Sequence, residues 1–171
     1  MLEKAGASRR GAPPYLLYAS SLVFIALATA LFPCLRILII TADGNTLAAQ
    51  VANYGDEVVY SYLHSVEKTR VREFFRVEGD KLRLVKVEMS SVGAGLPATN
   101  RAGFAFVDGR FVVKMDQIMR EIPLLLHPAT LPTLTVRDAH FDLATYPAGT
   151  EVMVKFVRRP LLWLYLRRIM P

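Results

Sequence analysis

Residues 74–87 read FFRVEGDKLRLVKV, and this stretch decides the fold. Phe74-Phe75-Arg76-Val77 and Leu82-Arg83-Leu84-Val85-Lys86-Val87 are strand-forming runs, and Gly79-Asp80 between them suits a tight turn, so the segment predicts a β-hairpin. The same grammar recurs on both sides. The runs 36–41 (RILIIT) and 46–51 (TLAAQV) flank Asp43-Gly44, and Phe104-Ala105-Phe106-Val107 and Phe111-Val112-Val113 flank Asp108-Gly109. A fourth hairpin is expected at Asp138-Ala139, between Leu134-Thr135-Val136 and Phe141-Asp142-Leu143, and 151–157 (EVMVKFV) supplies a last strand. Short strands joined by hairpins, with no long 3.6-residue period between them, predict an all-β antiparallel sandwich or barrel. Met115, Ile118, Met119 and Ile122 have helical spacing, which predicts a short helix or turn over 116–120.

Upstream of this domain, no charged side chain occurs from Gly11 to Leu35, and 15–32 reads YLLYASSLVFIALATALF. About 20 helical residues rising about 1.5 Å each cover a hydrocarbon layer of about 30 Å, which predicts one transmembrane helix over 15–33, acting as a signal anchor. Pro13-Pro14 stand at its entry and Pro33 at its exit, and Tyr15 and Tyr18 suit the headgroup level. Lys4, Arg9 and Arg10 precede the segment and only Arg36 follows it closely. The positive-inside rule therefore places a basic N-terminus (1–14) in the cytoplasm and the β domain (36–157) outside the cell membrane, a single-pass arrangement. Ala28-Thr29-Ala30 also matches a signal-peptidase site, but the apolar run exceeds the 7–15 residues of a secretory signal core, which favours retention. The single cysteine, Cys34, excludes an intramolecular disulfide, and Leu31-Phe32-Pro33 before it is too bulky for lipoprotein processing.

The formal net charge of +6 is concentrated at the two ends. Between Ile37 and Val157, 13 basic residues meet 14 acidic ones, a net of −1, and no Lys/Arg cluster with interleaved aromatics occurs, so nucleic acid is not an expected partner. The tail 158–171 brackets Trp163 and Tyr165 with Arg158, Arg159, Arg167 and Arg168, the composition of a short basic amphipathic helix at a lipid interface. Docking on the N-terminal helix, on a partner subunit or over the core is the other reading of that tail.

The chemically richest stretch is 62–75, YLHSVEKTRVREFF, followed by the loop Gly93-Ala94-Gly95-Leu96-Pro97. Val58, Tyr60, Tyr62 and His64 share one strand face, and Val71, Glu73, Phe75 and Val77 share another. A hairpin between them is expected to bring His64 and Glu73 within one pair of each other, either as a structural hydrogen bond or as a pH-responsive or anion-binding site. Tyr62, His64, Ser65 and Glu73, with Gly93, Gly95, Pro97 and Arg101 from the glycine loop, are therefore the candidate ligand- or partner-binding residues. A hydrolase using His64 and Ser65 is disfavoured, because adjacent strand residues point to opposite faces and no Gly-x-Ser-x-Gly elbow exists. His64, His127 and His140 lack metal-site spacing, so neither a metal nor a cofactor is expected.

A tyrosine, a His-Ser-Val core at 64–66, the Val-x-Glu-x-Phe pattern of Val71, Glu73 and Phe75, and the Gly-Ala-Gly-Leu-Pro loop together resemble the DUF1850 family, uncharacterised exported domains often encoded beside TAXI-type TRAP transporters. The resemblance spans roughly 36–157. It implies association with transport and no particular chemistry; joined to the expected anchor in the lipid bilayer, it makes the chain a membrane-anchored extracytoplasmic accessory domain whose protein partner is a TRAP membrane subunit or its solute-binding protein. A small organic-anion-binding module is the alternative.

Overall fold

The computed structural model describes residues 14–32, 35–91, 103–160, 162–163 and 165–166, with side chains from residue 18 onward. The chain divides into two compact units, Leu35–Arg158 and a second made of Met1–Cys34 with Arg159–Pro171.

The larger unit is all-β. Its strands are β1 (Leu35–Ala42), β2 (Asn45–Val51), β3 (Glu57–Leu63), β4 (Arg70–Glu78), β5 (Lys81–Met89), β6 (Phe104–Val107), β7 (Arg110–Met119), β8 (Glu121–Leu125), β9 (Thr133–Val136), β10 (Ala139–Asp142) and β11 (Glu151–Arg159). They form two largely antiparallel sheets, ordered β2-β1-β11-β8 and β10-β9-β3-β4-β5-β7-β6. The sheets do not close on themselves, so of the two expected architectures the sandwich is the one formed.

Alternation explains which face is inside. Leu38 and Ile40 of β1, Ile122 and Leu124 of β8, and Val152, Val154 and Phe156 of β11 join Val58, Val71, Phe75, Val77, Leu82, Leu134 and Val136 of the larger sheet in one core. Phe75 is the largest side chain buried to within 2% and lies in the middle strand of that sheet. At Asp43 (φ 50°)-Gly44 (φ 77°) and Asp108 (φ 50°)-Gly109 (φ 75°) both turn residues take positive φ, the twist that a two-residue hairpin needs.

Two sequence expectations are corrected. The fourth hairpin turns on Arg137-Asp138, since Ala139 already pairs with Val136. No helix forms over 116–120, because β7 runs through to Met119 and β8 begins at Glu121. The pairing of β5 with β7 jumps from Lys86↔Lys114 to Leu84↔Gln117, so β7 carries an extra residue there. That bulge, followed by passage to the other sheet, imitates helical spacing at Met115, Met119 and Ile122.

The second unit contains α1 (Pro14–Leu31). Its described side chains find no packed face: Tyr18, Leu22, Val23, Phe24, Ile25, Leu27 and Leu31 are each more than half exposed. Thr29 satisfies its hydroxyl internally by donating to the carbonyls of Ile25 and Ala26, both at 2.9 Å. Among the described residues, no helix is long and apolar enough to cross a membrane. α1, with 18 residues, rises about 27 Å, against a hydrocarbon layer of about 30 Å. Pro33, the expected exit of the span, lies outside the described residues.

The expected tail helix over 158–171 is not established either. Arg158 and Arg159 extend β11 instead, both exposed beyond the alternating stretch 151–157. The chain then turns, with the Trp163 N–H donating to the Pro160 carbonyl at 3.0 Å and the Arg159 guanidinium 5.7 Å from the Trp163 ring centre. Arg167 and Arg168 lie outside the described residues.

Replacing Phe75 by Ala removes the centre of the core and is expected to cost about 3–5 kcal/mol in urea unfolding, whereas Phe106→Ala, on the exposed edge strand, should change stability by less than about 0.5 kcal/mol.

Candidate functional site

The hairpin of β3 and β4 organises the site. Its loop is held by three hydrogen bonds: His64 N–H to the Thr69 carbonyl at 2.8 Å, Lys68 N–H to the His64 carbonyl at 2.9 Å, and Glu67 N–H to His64 Nδ1 at 3.2 Å. Lys68 adopts φ 53°, the left-handed conformation that lets the chain reverse. The Glu67 carboxylate is tied in turn by the Ser91 hydroxyl at 3.1 Å.

This geometry separates His64 from Glu73. Tyr60 lies opposite Glu73 and Tyr62 opposite Val71, leaving His64 opposite Thr69 at the strand end. Four residues of strand, about 13 Å, divide His64 from the pair that holds Glu73. The carboxylate instead accepts from the Tyr62 hydroxyl at 3.4 Å. Tyr60 and Tyr62 stand with ring centres 5.2 Å apart beside it.

These three groups are shifted from their ordinary values because they lie together on the inner face, Tyr60 buried and Tyr62 and Glu73 half-buried. Burial raises Glu73, and the Tyr62 hydrogen bond only partly opposes that rise. Tyr60 is pushed up to about 12 by burial and then by the Glu73 charge. Tyr62 is raised as well, by burial first and the same carboxylate second. The two tyrosines are thus poor sources of a phenolate. The geometry of the trio fits a polar cluster packed against the core.

At the loop itself, Leu63, His64, Ser65 and Lys68 line a cavity of about 260 Å³ together with His127, Ala129 and Thr130. His127 caps the short 3-10 turn Pro128–Thr130, its Nδ1 accepting the Ala129 N–H at 3.3 Å. Two of the three histidines therefore meet at one cavity, a convergence that sequence separation concealed. His140 is elsewhere, 3.1 Å from the Thr135 hydroxyl on β9. Among the described residues no three His, Cys, Asp or Glu side chains are grouped to hold a metal ion. Gly93, Gly95, Pro97 and Arg101 lie outside the described residues.

The outer face of β4, β5 and β7 carries a second feature. Alternation there puts Arg70, Arg72, Arg76, Lys86, Arg110 and Lys114 on the side away from the core, against Glu88 and, on the neighbouring β3, Glu57. Glu88 gathers Lys86 at 2.7 Å, Arg72 at 3.3 Å and Arg110 at 3.6 Å. Phe74 is the hydrophobic floor of this group, with Lys86 Nζ 3.8 Å and Arg72 Cζ 4.9 Å from its ring centre. Lower on the same face Arg83 is neutralised by Glu78 at 2.7 Å and by Asp116. With Lys81 and Arg83 counted beside these cations, and Glu78 and Asp116 beside Glu57 and Glu88, eight cations meet four carboxylates, a surplus of four positive charges on a domain whose overall balance is close to zero. Period-two placement of Arg and Lys within residues 70–86 was the available signal for this face.

The family described as "Domain of unknown function (DUF1850)" matches residues 58–143, which include β3 to β10, the histidine cavity and the cationic face. Comparison with curated proteins and with solved structures gives no match.

Because the folded state raises Glu73, it holds that proton more tightly than the unfolded chain does. Stability from this group is full below the unfolded carboxylate value of about 4.3 and is lost as pH rises through the folded one. Glu73→Gln should accordingly raise the urea midpoint at pH 7.5 and leave it nearly unchanged at pH 4. A variant less stable than the parent at pH 7.5 would contradict the burial assigned here.

Proposed function

The chain belongs to the DUF1850 family, and from that premise we propose that it is a membrane-anchored extracytoplasmic accessory domain that works by binding a partner rather than by catalysis. The observation that carries this reading is α1. A helix apolar on every side is stable only where an apolar medium surrounds it. Each large side chain left in water forgoes about 1.5–3 kcal/mol of burial. Thr29 bonding within its own helix is the behaviour expected of a hydroxyl in lipid. With its flanking residues the helix forms the span over 15–33, the basic N-terminus stays in the cytoplasm, and the β-sandwich works outside. The tail 158–171 adds interfacial contacts through Trp163, Tyr165, Arg158, Arg159, Arg167 and Arg168.

The resemblance drawn from the 62–75 motif and the glycine loop supports a TAXI-type TRAP transporter, through its membrane subunit or its solute-binding protein, as the partner. The cationic face of β4, β5 and β7 is the docking surface in this reading, and charge complementarity requires an acidic patch on the partner.

Two experiments test the proposal. Leu22→Arg with Phe24→Arg places two charges in the middle of the helix at about 2.5–3.5 kcal/mol each, and should move the protein out of carbonate-washed membranes. Recovery of the parent chain as a soluble, N-terminally shortened protein would refute anchoring. In cells carrying the transporter, Arg70→Glu with Lys114→Glu should abolish crosslinking of a transporter subunit while leaving the protein in the membrane; undiminished crosslinking would exclude this face.

A further inference from the structure

We infer that the open edge of β6 is a strand-addition site, which takes an antiparallel extended segment whose side chains alternate between apolar and acidic. The inference rests neither on membrane anchoring nor on a transporter, and it concerns the backbone edge beside the cationic face rather than that face itself.

Sheet edges in stable proteins are blunted by charge, by proline or by cover, because their free backbone groups otherwise recruit another strand. The four edge strands here are β2, β8, β10 and β6. Asn45, Thr46 and Gln50 make β2 polar, Pro123 interrupts β8, and β10 carries His140 and Asp142. β6 reads Phe104-Ala105-Phe106-Val107 and has none of these devices. It is also open, with Phe106 63% and Val107 49% exposed. Backbone direction decides which of its groups are left to a partner. The Lys114 N–H donates to the Gly103 carbonyl at 3.0 Å, and Val107 pairs with Arg110 across the two-residue turn. Backbone groups alternate in direction along a strand, so residues 103, 105 and 107 bond β7 while the N–H and C=O of Phe104 and Phe106 face the open side.

The two faces beside that edge ask for different side chains. Phe104 and Phe106 lie opposite Val113 and Phe111. Val113 is buried in the core, which puts both rings on the inner face, their centres 5.5 Å and 4.9 Å from that of Phe111. An added strand therefore meets aromatic surface on that side. On the outer face a Cβ at Gly103 would lie 3.0 Å from Lys114 Cβ and 3.7 Å from its Cδ, so the glycine leaves room for the lysine stem. No side chain then stands between Lys114 and a strand beyond β6, two strand spacings or about 9.6 Å away, a gap that a lysine and a glutamate can bridge together. Lys114 makes no ion pair among the described residues. It also lies opposite Lys86, a like-charge pair that destabilises the sheet as it stands. A second copy pairing edge to edge would set two cationic faces side by side, so the same charges select an acidic strand over this chain itself.

The test uses the full chain in detergent micelles and, as probe, a capped heptapeptide alternating valine and glutamate, read by calorimetry and amide hydrogen exchange. The peptide should saturate at about 1 mM or below and slow exchange of the Phe104 and Phe106 amides by about tenfold or more, while a valine-lysine peptide should bind at least about tenfold more weakly. N-methylation of the valines, whose N–H groups would face β6, should abolish binding, and N-methylation of the glutamates should not. Phe106→Pro removes one open-side N–H and no bond to β7, so it should lower affinity by about tenfold or more with the urea midpoint nearly unchanged. Lys114→Glu should reverse the preference between the two peptides. Full affinity in Phe106→Pro, equal binding of the two N-methylated peptides, or no saturation by the valine-glutamate peptide would overturn the inference. Equal binding of the lysine peptide would overturn the acidic assignment, and a concentration-dependent dimer protecting the same amides would give the edge to a second copy instead.

Discussion

The register between β3 and β4 is the constraint on which the rest of the larger sheet depends. Three hydrogen bonds in the loop after β3 set it, and one of them ends on the His64 ring. Side chains on a strand alternate, so a slip of one residue would turn Val71, Glu73, Phe75 and Val77 out of the core and bring Arg70, Arg72, Phe74 and Arg76 in. The inward placement of Glu73 between Tyr60 and Tyr62 follows from that register, and so does the outward placement of the cations. Both the core and the charged face are therefore read from one turn. A side chain that caps a loop also controls the geometry of a sheet more than 20 Å across.

Alternation also explains how a nearly neutral domain presents a strongly charged surface. Carboxylates such as Asp43, Asp80 and Asp108 sit at hairpin tips, where their short side chains tolerate turn conformations, while arginines and lysines sit on strands. Strand residues of one parity share a face, so the cations converge and the turn carboxylates are dispersed. Net charge along the chain averages this segregation away. Of the strand carboxylates, Glu88 is the one that holds the centre of this face together, since without it the like charges of Arg72, Lys86 and Arg110 would repel across adjacent strands. Phe74 serves the same end by offering its ring to two of them.

Much of the fold is legible in the sequence alone. The pairs Asp43-Gly44, Gly79-Asp80 and Asp108-Gly109 marked hairpins correctly because their backbone preference is local and strong. The fourth turn fell one residue early because Arg137, rather than a glycine or asparagine, supplies the positive φ. The helix expected at 116–120 failed because a bulge shifts side-chain parity in a way that periodicity alone reads as helical. In the candidate site the grouping of Tyr62 with Glu73 on inner faces was readable, but the partner of Glu73 was not. Choosing Tyr62 over His64 depended on loop length, and loop length depended on the His64 cap. His127 could not be matched with His64 from sequence, since 62 residues and a change of sheet lie between them.

The two histidines show why residue type alone is a poor guide to chemistry. A histidine beside a serine invites a nucleophile-and-base reading, and a pair of histidines at one cavity invites a metal. Both readings require a ring nitrogen with an available lone pair facing the reactant. Here that lone pair is spent on the backbone in each case, at Glu67 for His64 and at Ala129 for His127. What each ring can still offer is a donor. The bonds that shape the loop thus take both rings away from the base and ligand roles that their residue type suggests.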